Sequence, residues 1–166
     1  MPVPHSLRSL ALVALAASAA ALAGAYISQY GFGLHPCTLC YWQRLPHAVV
    51  IVLGVVAFWR HTQQPKLAKG LLWLCVCSML AGAVIAAYHA GVEWQWWQGP
   101  TACSGAIEQG MTIEEIRAKL SGAKAVSCSE APFRILGLSM AGWNGLYSLG
   151  IAMLLATGLR GKHGKA

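Results

Sequence analysis

Four long apolar runs constrain this chain before any other feature does. Residues 10–30, 41–59, 70–91 and 138–159 are rich in Ala, Leu, Val and Gly and nearly free of charge. At 1.5 Å rise per residue, about 20 helical residues cross a hydrocarbon core of about 30 Å. Hydrophobic residues make up 57% of the chain and charged ones 10%, more apolar surface than a soluble domain of this length can hide. The expected fold is an all-α membrane protein: a four-helix transmembrane bundle, one integral domain over 1–166. The second run carries Arg44 and Pro46 near its start, and proline is tolerated in an opening turn where its missing N–H is not needed. The first run has a rival reading as a cleaved signal peptide, from Arg8 and the small residues at 19–25. Its length, and Tyr26 and Tyr30 at its far end, favour a span.

The connections differ in charge. Arg8, Arg60, Lys66, Lys69, Arg160, Lys162 and Lys165 lie on one side with no acid among them. All five acids, Glu93, Glu108, Glu114, Glu115 and Glu130, lie on the other. Basic residues collect on the cytoplasmic side of membrane proteins. Both termini are therefore expected in the cytoplasm, with the loops at 31–40 and 92–137 outside. The net charge of +7 is scattered at helix ends rather than drawn into a basic aromatic stripe, which argues against nucleic acid as a partner.

The outer loops hold Cys37, Cys40, Cys103 and Cys128, and an even set of cysteines in an oxidising compartment reads as disulfides. Three connectivities are open. Cys75 and Cys77 fall in mid-membrane, two apart on a helix and facing nearly opposite ways. They read as packing residues. The long loop opens with Trp94, Trp96 and Trp97, suited to the membrane interface. It continues with "TIEEIRAKL", where Thr112 and Glu115 form a capping box and Ile113, Ile116 and Leu120 recur at helical spacing. That is a short amphipathic interfacial helix, bracketed by Cys103 and Cys128. A bond between those two would close a loop of about 26 residues and constrain it by roughly 3–4 kcal/mol. It could be a staple or a bond meant to be broken.

The stretch "HPCTLCYWQR" at 35–44 sharpens that question. Cys37 lies where the second helix begins, so backbone N–H groups and the helix dipole favour a thiolate. Cys40 and Arg44 share a helix face, and a guanidinium one turn away favours the ionised sulfur further. A thiolate is both the attacking group and the better leaving group in disulfide exchange. Zinc is the alternative, recruiting His35, His47 or His89 with Cys103 or Cys128, but a lone Cys-x-x-Cys falls short of a structural four-ligand site. Haem attachment requires histidine where Tyr41 stands. At the membrane boundary a redox pair would send its electrons to a lipid-soluble quinone, whose polarised oxygen would welcome Arg44.

Taken together, "PCTLCYWQR" at 36–44, the loop pair Cys103 and Cys128, and "FRILGLSMAGWN" at 133–144 resemble the DsbB family over roughly 26–147. These are inner-membrane proteins that re-oxidise the periplasmic thiol oxidase DsbA and pass the electrons to quinone. The resemblance implies a protein-disulfide:quinone oxidoreductase in the bacterial inner membrane, a monomer with a DsbA-like thioredoxin-fold partner. Cys103 would be attacked by the reduced partner. Cys128 would then attack Cys37, and Cys40, released as a thiolate, would meet the quinone held by Arg44. Gln29 and His89 match family positions near the quinone by spacing. Ubiquinone is the default cofactor and menaquinone the alternative; no metal is implied. Cys75 and Cys77 are extra to the four-cysteine pattern. Vitamin K epoxide reductases share the chemistry, but there the Cys-x-x-Cys follows the loop pair. Two other classes, a tetraspanin-like scaffold with a stapled loop and a metal transporter, predict non-exchanging cysteines and bound metal respectively.

Overall fold

The structure, a computed structural model, describes residues 6–100, 112–113 and 127–161. Helix α1, Leu7–Tyr26, starts at Ser6, whose hydroxyl oxygen accepts the Ser9 N–H at 3.1 Å, an ordinary N-cap. It runs directly into a π-helical turn, Ile27–Gly31. Helix α2 spans Thr38–Arg60, with Cys37 as its N-cap. Helix α3, Pro65–Glu93, begins on a proline, whose missing N–H costs nothing there. Strands β1, Arg134–Ile135, and β2, Leu138–Ser139, pair antiparallel and lead into α4, Met140–Arg160. Leu136 and Gly137 between the strands both have positive φ, 53° and 82°, the conformation a two-residue type I′ hairpin requires.

Among the described residues, Leu7–Gly31, Thr38–Arg60 and Pro65–Glu93 are long and apolar enough to cross a membrane, and the fourth helix expected from the sequence is also there. Asn144, Tyr147 and Ser148 dilute the apolar character of its first half. It packs against α3 where Gly145 leaves room; a Cβ on it would lie 3.3 Å from that of Ala86. One expectation needs correction: Pro46 is not in an opening turn. Because α2 begins at Thr38, Pro46 sits in its third turn, where the Trp42 carbonyl loses its helical N–H donor. The Ser78 hydroxyl donates to the Pro46 carbonyl at 3.1 Å, and the pyrrolidine ring lies over Gly82 of α3. The amphipathic segment from Thr112 to Leu120 lies, apart from Thr112 and Ile113, outside the described residues.

The bundle centre is filled by Leu10 and Ala14 of α1, Val50 and Ala57 of α2, Leu72, Cys75 and Met79 of α3, and Leu155 and Leu159 of α4. Small residues let these helices approach closely, as is common between membrane helices. Cys75 is buried in this core, Cys77 is exposed, and both are free thiols, in keeping with opposite faces of one helix. Many large apolar side chains, Val52, Trp59, Leu74 and Val84 among them, point outward, as lipid-facing positions do.

The C-terminal end of α3 is held by a Schellman turn. The Trp96 N–H bonds the Gly91 carbonyl at 2.9 Å and the Gln95 N–H bonds that of Val92 at 3.0 Å. Gln95 occupies the positive-φ position usually given to glycine, at 60°. This reversal folds Trp97 back over Gly91, where an added Cβ would come within 2.0 Å of the indole. The indole N–H donates to the Tyr88 carbonyl at 2.9 Å. Beyond any interfacial anchoring, Trp97 therefore fixes the last turn of α3, which carries His89 and Glu93.

Candidate functional site: a dithiol beside a disulfide

The start of α2 and the end of α3 meet at one end of the bundle, next to Cys128. The Cys37 and Cys40 sulfurs are 2.9 Å apart and both are free thiols. Cys128 is buried and disulfide-bonded. Cys103 lies outside the described residues. Cys37 Sγ, Cys128 Sγ and the nearest ring nitrogen of His89 all lie within 4.8 Å of one another. Cys37 thus stands between two sulfurs, Cys40 on its own helix and Cys128 on the long loop.

The negative charge of the dithiol settles on Cys37. Its sulfur lies against Cys40 Sγ, accepts the Cys40 backbone N–H at 3.3 Å and faces His89 Nε2 at 3.5 Å. Hydrogen bonding from the Cys40 side chain is the largest cause and outweighs burial, with His89 adding to it; together they bring Cys37 down to about 4. The sequence had pointed to Cys40 through Arg44. Arg44 is instead stacked between the rings of Tyr26 and Tyr41, each 5.0 Å away, and donates to Gln29 Oε1 at 2.7 Å. Cys37 is thus the sulfur of the pair that holds its charge to lower pH, and that charge is lost as pH falls well below the usual thiol range. In protein with the Cys128 disulfide intact, ultraviolet thiolate absorbance is expected to stay flat across the neutral range and titrate near pH 4. His89→Leu should move the midpoint upward.

His89 is oriented by a chain of polar side chains that the sequence did not single out. The acceptors fix the direction. His47 Nε2–H donates to Asn144 Oδ1 at 3.1 Å, and Asn144 Nδ2 donates to Gln43 Oε1 at 2.7 Å. Gln43 Nε2 in turn donates to His89 Nδ1 at 2.6 Å. That leaves the His89 ring hydrogen on Nε2, aimed at Cys37. The chain ties α2, α3 and α4 together, which is the reason a polar Asn144 stands in an otherwise apolar helix. Gln43 and Asn144 lay within the quoted motifs, yet only tertiary structure pairs them.

Cys40, Arg44, His47 and His89 line a cavity of about 770 Å³ bounded by the C-terminal half of α1, the N-terminal halves of α2 and α4 and the last turn of α3. Its wall is mostly apolar, with Ala20, Ala21, Leu22 and Ala25 on α1 and Leu146 on α4. The π turn places Gln29 beside Arg44, and such turns often occur at functional sites. His47 is buried, and its Nδ1 has no hydrogen-bond partner among the described residues. Glu93, also buried, lies with Oε1 3.8 Å from His89 Nε2. All the expected site residues among those described, Gln29, Cys37, Cys40, Arg44, His89 and Cys128, fall around this one end of the bundle.

A free Cys-x-x-Cys facing a disulfide at the end of apolar helices is the arrangement that thiol–disulfide exchange at a membrane requires. Comparison with known proteins narrows this. The profile of the family described as "DsbB: Disulfide bond formation protein DsbB" matches residues 7–158. A Rickettsia prowazekii (strain Madrid E) protein described as "Uncharacterized protein RP370" is 33% identical over 152 residues, 90% of this chain and 85% of that one. "Disulfide bond formation protein B" of Xanthomonas axonopodis pv. citri (strain 306) is 30% identical, over 92% of this chain and 90% of its own length. The protein of that name from Chromohalobacter salexigens is also 30% identical, over 90% and 87%. No solved structure matches significantly. The chain belongs to the DsbB family, whose members act in disulfide bond formation.

Proposed function

We propose that this protein re-oxidises a DsbA-like thioredoxin-fold oxidase in the periplasm and delivers the electrons to membrane quinone. In this reading it is a monomeric, single-domain protein of the bacterial inner membrane. Both termini are cytoplasmic and the redox loops periplasmic, in keeping with the charge asymmetry. The observation that carries the reading is the meeting of Cys37, Cys40 and Cys128 around one thiolate, with His89 aimed at it. A scaffold needs no such meeting of free and bonded sulfur.

The exchange balances as follows. A thiolate of the reduced partner attacks Cys103, forming a mixed disulfide and releasing Cys128 as a thiolate. Cys128 attacks Cys37 of the Cys37–Cys40 disulfide, joining the two loops and releasing Cys40. The partner's second thiol resolves the mixed disulfide, and the partner leaves oxidised. Freed Cys103 attacks Cys128, restoring the loop disulfide and returning Cys37 as a thiolate. The net result is two electrons and two protons moved from partner to Cys37 and Cys40. The observed combination of a free Cys37–Cys40 pair and a bonded Cys128 corresponds to this last stage.

The cavity fits a quinone in volume and in its mostly apolar wall, with polar groups at few points. When bound, a quinone supplies an acceptor for two electrons and two protons; ubiquinone is the first candidate and menaquinone the second. Arg44, held by Gln29, offers N–H donors to a ring oxygen. The unpartnered Nδ1 of His47 offers an acceptor for a hydroxyl hydrogen. His89, held by Gln43, keeps a donor on the Cys37 sulfur while Cys40 faces the cavity.

Trapping tests the loop exchange. With Cys40 and Cys103 both replaced by alanine, Cys37 and Cys128 are expected to join on mild oxidation, seen as one linked peptide by non-reducing mass spectrometry. Two unlinked peptides would contradict the exchange path.

A further inference from the structure

One group at the site has no part in disulfide exchange. The Glu93 side chain is only 5% exposed, and its Oε2 has no hydrogen-bond partner among the described residues. A buried carboxylate oxygen without a partner is costly. The unsatisfied oxygen calls for a cation.

The neighbours of Glu93 are those a soft divalent cation takes. His89 Nε2 is 3.5 Å from Cys37 Sγ and 3.8 Å from Glu93 Oε1. Cys128 Sγ lies within 4.8 Å of both Cys37 Sγ and the His89 nitrogen. In a tetrahedral zinc site with two sulfur, one nitrogen and one oxygen ligand, neighbouring donor atoms lie roughly 3.3–3.8 Å apart, given the usual bond lengths. Cys37, Cys128 and His89 thus already stand at near-ligand spacing, while Glu93 reaches the group through His89 Nε2 and has to swing toward the sulfurs to complete the four. We propose that, once the disulfide holding Cys128 is reduced, Cys37, Cys128, His89 and Glu93 bind one zinc-like divalent cation.

The site is gated by redox state. While Cys128 is disulfide-bonded, as observed, its sulfur is a poor ligand. Reduction by a dithiol, which gives up two electrons and becomes a disulfide, frees the Cys128 thiol; the cation displaces its proton, and the His89 ring hydrogen passes from Nε2 to Nδ1 as the Gln43 and Asn144 amides turn over to accept it. The bound cation then occupies Cys37 and blocks exchange. The protein is thus held inactive whenever its thiols stay reduced for want of an electron acceptor. Metal binding itself does not depend on which acceptor is used, so it stands or falls apart from the quinone reading.

The test uses the full chain in detergent, reduced under anaerobic conditions, freed of reductant and titrated with Co²⁺. Intense tetrahedral d–d bands are expected in the reduced protein, none with the Cys128 disulfide intact, and Zn²⁺ should bleach them. Glu93→Gln, which keeps size and shape but removes an anionic ligand, should weaken binding by at least the roughly 10–100-fold seen when a group that merely supports a ligand is lost. Cys128→Ser should remove much of the sulfur-to-metal charge-transfer intensity, and circular dichroism checks that both variants keep their helices. Failure of the reduced protein to bind Co²⁺ would overturn the proposal, as would equal binding by the oxidised protein. Unchanged affinity in both variants would overturn it too, placing the ion on Cys37 and Cys40 alone.

Discussion

Cys37→Ser is expected to abolish turnover with a dithiol partner, by about three orders of magnitude or more, the scale seen when an enzyme loses its nucleophile. The reason is positional. Cys37 is the sulfur in contact with both redox pairs, 2.9 Å from Cys40 and within 4.8 Å of Cys128. Serine keeps the N-cap, since its oxygen can accept the Cys40 N–H as the sulfur does, so α2 should start where it does now. What is lost is the sulfur that bridges loop and membrane. The loop disulfide should still be reduced by the partner in this variant, so a first burst of partner oxidation is expected without steady turnover. Stopped-flow measurement of partner oxidation separates burst from turnover. Sustained turnover in Cys37→Ser would mean that electrons bypass the Cys-x-x-Cys.

The second large effect is expected at Arg44. Arg44→Met keeps an apolar stem between Tyr26 and Tyr41 but removes the guanidinium that donates to Gln29. A hydrogen bond from a charged donor contributes roughly 1.5–3 kcal/mol, so its loss corresponds to about 10–150-fold in binding. The KM for quinone should rise by that factor, while the thiolate at Cys37 and the burst of partner oxidation stay as they are. Gln29→Ala should raise the same KM less, since it loosens Arg44 without removing its charge. Steady-state kinetics at varied quinone concentration distinguish this from a general loss of activity. A fall in kcat at unchanged KM would instead place Arg44 outside quinone binding.

Much of this site was legible in the sequence because its strongest signals are local. Apolar runs of membrane length, charge asymmetry and a Cys-x-x-Cys beside a helix start are each read over a few residues. What the sequence did not show depends on the approach of distant segments. Glu93 looked like one more loop acid until α3 extended to include it and buried it beside His89. Asn144 looked like a flaw in an apolar run until it was seen to link His47 to Gln43. The charge on Cys37 rather than Cys40 follows first from the hydrogen bond of the Cys40 side chain and then from His89, which lies 52 residues away in sequence. Gln29 could be matched by spacing alone, but the π turn that presents it leaves no mark in composition. Pro46 misled in the other direction: read as an opening-turn proline, it sits in the third turn of α2, where Gly82 and Ser78 on α3 accommodate it.

The central claim is that electrons pass from a dithiol protein through these four cysteines to a quinone. It is tested most directly by an anaerobic mixture of the purified protein, ubiquinone and a reduced thioredoxin-fold partner, following quinone absorbance. The account predicts loss of one quinone per partner dithiol oxidised, and no loss when Cys40→Ser replaces the native protein. Quinone reduction that continues undiminished in Cys40→Ser, or partner oxidation with the quinone left intact, would contradict it.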